Sequence, residues 1–186
     1  AVRADRGMSA GADGVERLNG LDAGACAEAL RRCCGSDAWV GAMVAGRPFA
    51  SRHTLLERSD RILRSLERRD WLQAFAAHPR IGGRAASGWA AREQAGTHGA
   101  RSEVLSRLAD ANRAYEARFG HIFIVCATGR SAEEMLALLE ARLDNKPDEE
   151  LGIAAAEQRK VTRLRLEKLL DETGGQGPEA KGQEHD

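Results

Sequence analysis

Apolar residues in this chain recur at helical spacing almost wherever they cluster, and a single short run breaks the pattern. Leu55, Leu56, Ile62, Leu63 and Leu66 fall at i, i+1, i+7, i+8 and i+11, one stripe of a 3.6-residue period. Trp71, Leu72, Phe75 and Ala76 add a further turn or two before His78-Pro79. Val104, Leu105, Leu108, Ala111, Tyr115 and Phe119 form another stripe, closed by Gly120. Residues 131–134 have the form of a capping box, with Ser131 leading to Glu134, and Met135, Leu136, Leu138, Leu139 and Leu143 follow. Asn145-Lys146-Pro147 opens a last helix whose acidic residues 148–150 suit a helix N-terminus, and Leu151, Ala155, Val161, Leu164 and Leu169 continue it. The exception is residues 122–127, a β-branched apolar run bounded by Gly120 and Gly129. A lone strand cannot form a sheet. The expected fold is therefore all-α: a compact single-domain helical bundle with a short extended segment near residues 121–127 threaded through its core.

The ends have a different composition. Residues 1–16 are rich in Gly, Ala and charge without periodicity, and read as a disordered extension in which Met8 is a candidate start. Residues 173–186 have almost no apolar content and read as a solvated tail, leaving 17–172 as the helical domain. No apolar run approaches the roughly 20 residues that span a bilayer. The N-terminus lacks a secretory pattern and the C-terminus lacks a Ser-Lys-Leu address, so a cytoplasmic location is expected. Lys and Arg number 28, as do Asp and Glu, and this balance disfavours a nucleic-acid partner. Cys26, Cys33, Cys34 and Cys126 form no CxxC pair. They read as reduced, partly buried small residues, not metal ligands.

Chemistry concentrates in Ala77-His78-Pro79-Arg80-Ile81-Gly82-Gly83 and in Trp89 to Gln94 just beyond it. Proline disfavours the α region for the residue before it, so His78 should sit where a helix ends. A histidine there is held by its backbone, and Glu93 follows on the next short segment. Such a pair suits proton handling near neutral pH.

From Ala25 to Leu170 the chain resembles the OHCU decarboxylase family. The matching pieces are Cys33-Cys34-Gly35-Ser36 with Trp39, Arg47-Pro48-Phe49, Ala74-Phe75 through Gly82, and Trp89 with Glu93-Gln94. Asn112, Tyr115, Arg118-Phe119-Gly120, Phe123-Ile124-Val125, Thr128 through Ser131, Arg142-Leu143, Glu150-Leu151 and Arg165-Leu166 continue the series in order. The resemblance implies a helical homodimer that uses no metal and no organic cofactor. It implies decarboxylation of 2-oxo-4-hydroxy-4-carboxy-5-ureidoimidazoline to (S)-allantoin and carbon dioxide in uric acid breakdown. It assigns catalysis to His78 and Glu93, and substrate binding to Pro79, Gln94, Ile124, Arg130 and Arg165. The substrate carries its own electron sink, a ring C=N beside the carbon that loses carbon dioxide, so the usual cofactor sinks are not needed.

Other residues weigh less. Arg163 and Arg165 lie about 200° apart around a helix, so only one can face a site, and Arg165 fits the family's Arg-Leu pair. His53, His98 and His121 have no motif support and are expected to be structural or exposed. Asn112 and Tyr115 share a helix face and read as core hydrogen-bonders. Many relatives carry a hydroxyl residue where this chain has Ala90. Two other classes stand beside the decarboxylase: a helical binding or regulatory module, and a hydrolase acting on a related imidazoline or hydantoin ring. The hydrolase would need an activated water, and no HxxxH or HxH pair is present to hold a metal for it.

Overall fold

The computed structural model describes residues 10–78 and 98–172, which contain eight helices and no strand. They are α1 (Ala10–Gly20), α2 (Ala23–Arg31), α3 (Asp37–Ala45), α4 (Arg52–Arg64), α5 (Arg68–Ala76), α6 (His98–Phe119), α7 (Ala132–Arg142) and α8 (Pro147–Asp171). The all-α expectation holds. The starts of the helices follow from their caps. Asp22 accepts from the Ala25 amide at α2, and Ser36 from the Trp39 amide at α3. Ser51 with Thr54, and Ser131 with Glu134, close reciprocal boxes at α4 and α7. Pro147 begins α8, and three acidic residues fill its first turn. Gly120 ends α6 at φ +74°, where a side chain would be strained.

Two apolar cores result. The larger joins Leu30, Trp39, Leu55, Phe75 and Leu166, and the smaller joins Leu108, Tyr115, Phe123, Val125 and Leu139. The extended segment runs between them and serves both. Phe123 and Val125 enter the smaller core, while Ile124 enters the larger, as a period of two requires. With no neighbouring strand, its backbone is satisfied by side chains. Arg142 Nη1 donates to the Ile124 carbonyl at 2.9 Å, and the Cys126 amide donates to Glu157 Oε2 at 2.8 Å. Arg130 Nε donates to the Cys126 carbonyl at 3.2 Å. Burial pulls the Glu157 carboxyl upward, but hydrogen bonds from Lys160 and the Cys126 amide outweigh it and hold the group below its ordinary value.

One boundary differs from the sequence reading. The stretch read as a disordered extension through residue 16 is already helical from Ala10, and Val15 and Leu18 are 4% and 3% exposed in the larger core. The reason is close approach. A Cβ on Gly14 would lie 2.0 Å from the Leu170 carbonyl oxygen, so the bare glycine lets α1 lie directly on α8. Arg17 Nη2 then donates to the Leu169 carbonyl at 2.7 Å. Gly14→Ala should therefore lower stability by about 1–3 kcal/mol through overpacking against backbone, despite alanine's better helix propensity. Thermal unfolding checks the sign, and a rise in midpoint would contradict this packing. The expected tail, residues 173–186, lies outside the described residues.

Candidate active site

His78 follows the last turn of α5, its amide donating to the Phe75 carbonyl at 3.0 Å. Packing of the preceding loop fixes this turn. A Cβ on Gly35 would come within 2.3 Å of the Ala77 Cβ, so a glycine is needed where the α2–α3 connection passes beside Ala77. His78 thereby faces a cavity of about 270 Å³. The extended segment 123–128 forms one wall, and Val161, Leu164, Arg165 and Lys168 of α8 form another. The walls are mainly apolar, with two cationic groups from one helix face.

Arg165 is a polar partner of the imidazole, with Nη2 3.5 Å from His78 Nδ1. Its Nη1 donates to the Arg32 carbonyl at 3.4 Å, which braces the guanidinium from behind. Burial holds the His78 pKa below its ordinary value, the Arg165 charge lowers it further, and the Gln158 side chain pulls it partly back. The ring is thus neutral near pH 7. A guanidinium N–H can only donate, so the Nδ1 facing it presents its lone pair and the proton resides on Nε2. The cavity holds an imidazole whose lone pair faces a positive charge across a long, 3.5 Å contact.

Of the residues singled out in the sequence, His78, Ile124 and Arg165 share this cavity. Arg130 does not line it and instead spends Nε on the Cys126 carbonyl. Arg163 lies on another face of α8, paired with Glu167 at 3.1 Å. His121 is buried against Phe75, with ring centroids 5.1 Å apart, and His53 is exposed beside Glu57. Asn112 Nδ2 donates to the Leu108 carbonyl at 2.9 Å, and the Tyr115 hydroxyl donates to Glu150. Pro79, Glu93 and Gln94, together with Trp89 and Ala90, lie outside the described residues. The four cysteines are free thiols. Burial pushes Cys33 up to about 12, so it has no nucleophilic character at neutral pH. Among the described residues, no three His, Cys, Asp or Glu side chains converge as a metal site would require.

Sequence reasoning passed over Gln158, Lys168 and the cavity-facing Cys126. Helical spacing was the available signal for the first two. They stand seven residues before and three after Arg165, on the same face of α8.

Comparison with known proteins bears on this arrangement. A family model described as OHCU decarboxylase matches residues 19–167. The chain is 39% identical over 148 residues to the uric acid degradation bifunctional protein TTL of Arabidopsis thaliana, a match covering 75% of this chain and 46% of that protein. It therefore spans less than half the length of that relative. It is 31% identical over 138 residues to the 2-oxo-4-hydroxy-4-carboxy-5-ureidoimidazoline decarboxylase of Amia calva, covering 70% of this chain and 79% of that one. The fold superposes with a TM-score of 0.66 on the crystal structure of an OHCU decarboxylase in the presence of (S)-allantoin, at 37% identity, covering 76% of this chain and 96% of that one.

Proposed function

The chain belongs to the OHCU decarboxylase family, and from that premise we propose that it converts 2-oxo-4-hydroxy-4-carboxy-5-ureidoimidazoline to (S)-allantoin and carbon dioxide in uric acid breakdown. The observation that carries this reading is the neutral His78 imidazole held beside Arg165 at the mouth of a small, mostly apolar cavity.

The reaction needs few protein groups. The bond between the ring carbon and the carboxylate breaks, and its electron pair shifts into the adjacent C=N, releasing carbon dioxide. The ring nitrogen left holding that pair takes up one proton. The hydroxyl on the carbon that lost the carboxylate gives up its proton as it becomes a carbonyl, and a second proton is added at the ring carbon bearing the ureido group. One of the two added protons replaces the hydroxyl's and the other comes from solvent. Arg165 supplies the charge that draws the carboxylate into the cavity. Phe123, Ile124 and Leu164 then favour its departure, since the negative charge spreads as neutral carbon dioxide forms. His78, neutral, takes the hydroxyl proton on Nδ1, where the substrate hydroxyl replaces the long contact from Arg165. Glu93 returns a proton to one face of the ring, and Pro79, Gln94 and Ile124 hold the ring and ureido group. Arg130 adds a further positive charge for the substrate's oxygens while its Nε braces the extended segment through the Cys126 carbonyl. The same reading makes the protein a cytoplasmic homodimer, which fits its four free thiols. Light scattering should give twice the 20.1 kDa of one chain.

The test mixes purified protein with freshly generated hydrolysis product of hydroxyisourate, following ultraviolet absorbance and the circular dichroism of the allantoin formed. Rapid loss of absorbance with build-up of one enantiomer is expected. Racemic product at the spontaneous rate would overturn the assignment. Dialysis against a chelator should leave the rate unchanged, because the substrate accepts the electron pair itself. Activity that returned only with added zinc would favour a ring hydrolase.

A further inference from the structure

Gln158 and Arg165 are two turns apart on one face of α8; Arg165 Nη2 lies 3.5 Å from His78 Nδ1, and the Gln158 side chain acts on the same ring by favouring its charged form. The Gln158 side chain is fully buried, at 0% exposure. Its Nε2 donates to Thr162 Oγ1 at 3.1 Å, while its Oε1 has no hydrogen-bond partner. Thr162 fixes which end of the amide is which. Thr162 Oγ1 takes the amide N–H, which leaves Oε1 at the other end of the group. A buried amide oxygen without a partner is unfavourable and uncommon. The His78 imidazole, on which this side chain acts, can donate to it.

We infer that Gln158 is a positioning residue for His78: its Oε1 accepts the ring N–H and so turns the ring's lone pair toward the cavity that Arg165 lines. The inference rests on the decarboxylase reading for its catalytic meaning. A ring free to exchange tautomers would present a lone pair to substrate only part of the time. A neutral acceptor fixes the tautomer, as a carboxylate does behind other catalytic histidines, without raising basicity as strongly. Other titratable or charged groups share cavities with the ring: Lys168 and Arg165 from α8, Glu116 from α6, and His121 just after it. All are unchanged in the variants that test the idea.

The experiment uses full-length protein with ¹⁵N-labelled histidine, following the His78 tautomer and titration without ligand, beside the pH profiles of kcat and KM. In the parent a single Nε2–H tautomer is expected. Gln158→Leu should give a tautomer mixture and a lower titration midpoint, with kcat down about tenfold and KM within twofold. Gln158→Glu keeps the shape and adds charge. It should restore the single tautomer and raise the midpoint by about one pH unit or more, moving the acid limb of kcat to higher pH. A folded Gln158→Leu protein with unchanged tautomer, midpoint and kcat would overturn the inference. If that variant does not fold, an unchanged midpoint in Gln158→Glu overturns it equally. Absence of decarboxylation by the parent would instead defeat the functional reading, while the spectra would still decide whether Gln158 holds the ring.

Discussion

Replacing His78 by Ala or Gln should leave the helices intact and slow decarboxylation by about 10²–10⁴-fold, the usual worth of a positioned proton-transfer group. The fold should survive because His78 follows the last turn of α5 and is only half-buried, while Trp71, Ala74 and Phe75 carry that helix's packing. The rate should fall because no other described side chain in the cavity offers a neutral nitrogen lone pair; Arg165 and Lys168 are both cations. The pH dependence follows from burial and from Arg165, which hold the His78 pKa below its ordinary 6.5. A base with a depressed pKa remains competent on the acid side of 6.5. Its contribution is lost only as the pH falls through the lower value. The acid limb of kcat/KM in the free enzyme should therefore lie below the midpoint of an exposed histidine. Steady-state kinetics with far-ultraviolet circular dichroism make the check. Near-normal turnover at full helicity would remove His78 from the mechanism.

How much of this arrangement was readable beforehand depends on which physical signal each part left. Helices α4 to α8 bury one face and solvate the other, or carry explicit caps, so their spacing and their Ser or Pro starts announce them. The segment 122–127 was equally plain, because β-branched residues between glycines have no helical period. Helix α1 was hidden because its contact with α8 is made by a missing side chain, Gly14, and hydrophobic patterning does not register an absence. In the site, His78 stood out through the proline after it and Arg165 through its motif. Gln158 left no mark, since a glutamine on a helix is ordinary. Only its burial and its unpartnered oxygen distinguish it, and both are tertiary properties. Arg130 looked like a substrate ligand because arginines suit anions. Its Nε also holds the Cys126 carbonyl, a backbone need of the extended segment that a sequence pattern does not display.

The extended segment runs alone, and this gives the buried Arg142–Glu150 pair a large share in holding it. Glu150 is 0% exposed and accepts from Arg142 Nε at 2.8 Å, from Arg142 Nη2, from the Tyr115 hydroxyl, and from Asn145 Nδ2 at 2.7 Å. Burial, and then the bond to Glu150, push the Tyr115 hydroxyl well above its ordinary pKa, so it stays protonated and donates. Arg142 spends Nη1 on the Ile124 carbonyl, connecting the cluster to the cavity wall. Glu150→Ala should cost about 3–5 kcal/mol, because it leaves the Arg142 charge buried and unpaired. For a chain of this size that is a fall of roughly 10 °C in Tm. Glu150→Gln keeps the volume but loses the charge, and should be only partly rescued. Replacing both residues, Arg142→Leu with Glu150→Leu, should cost less than the sum of the single changes, since neither charge is then stranded. The double variant should still bind substrate less well, because the Ile124 carbonyl has lost the donor that ties the segment to the end of α7. Unfolding midpoints for the four-protein cycle and KM for the double variant decide this. A Glu150→Ala protein as stable as its parent would show that the cluster is not what holds the extended segment in place.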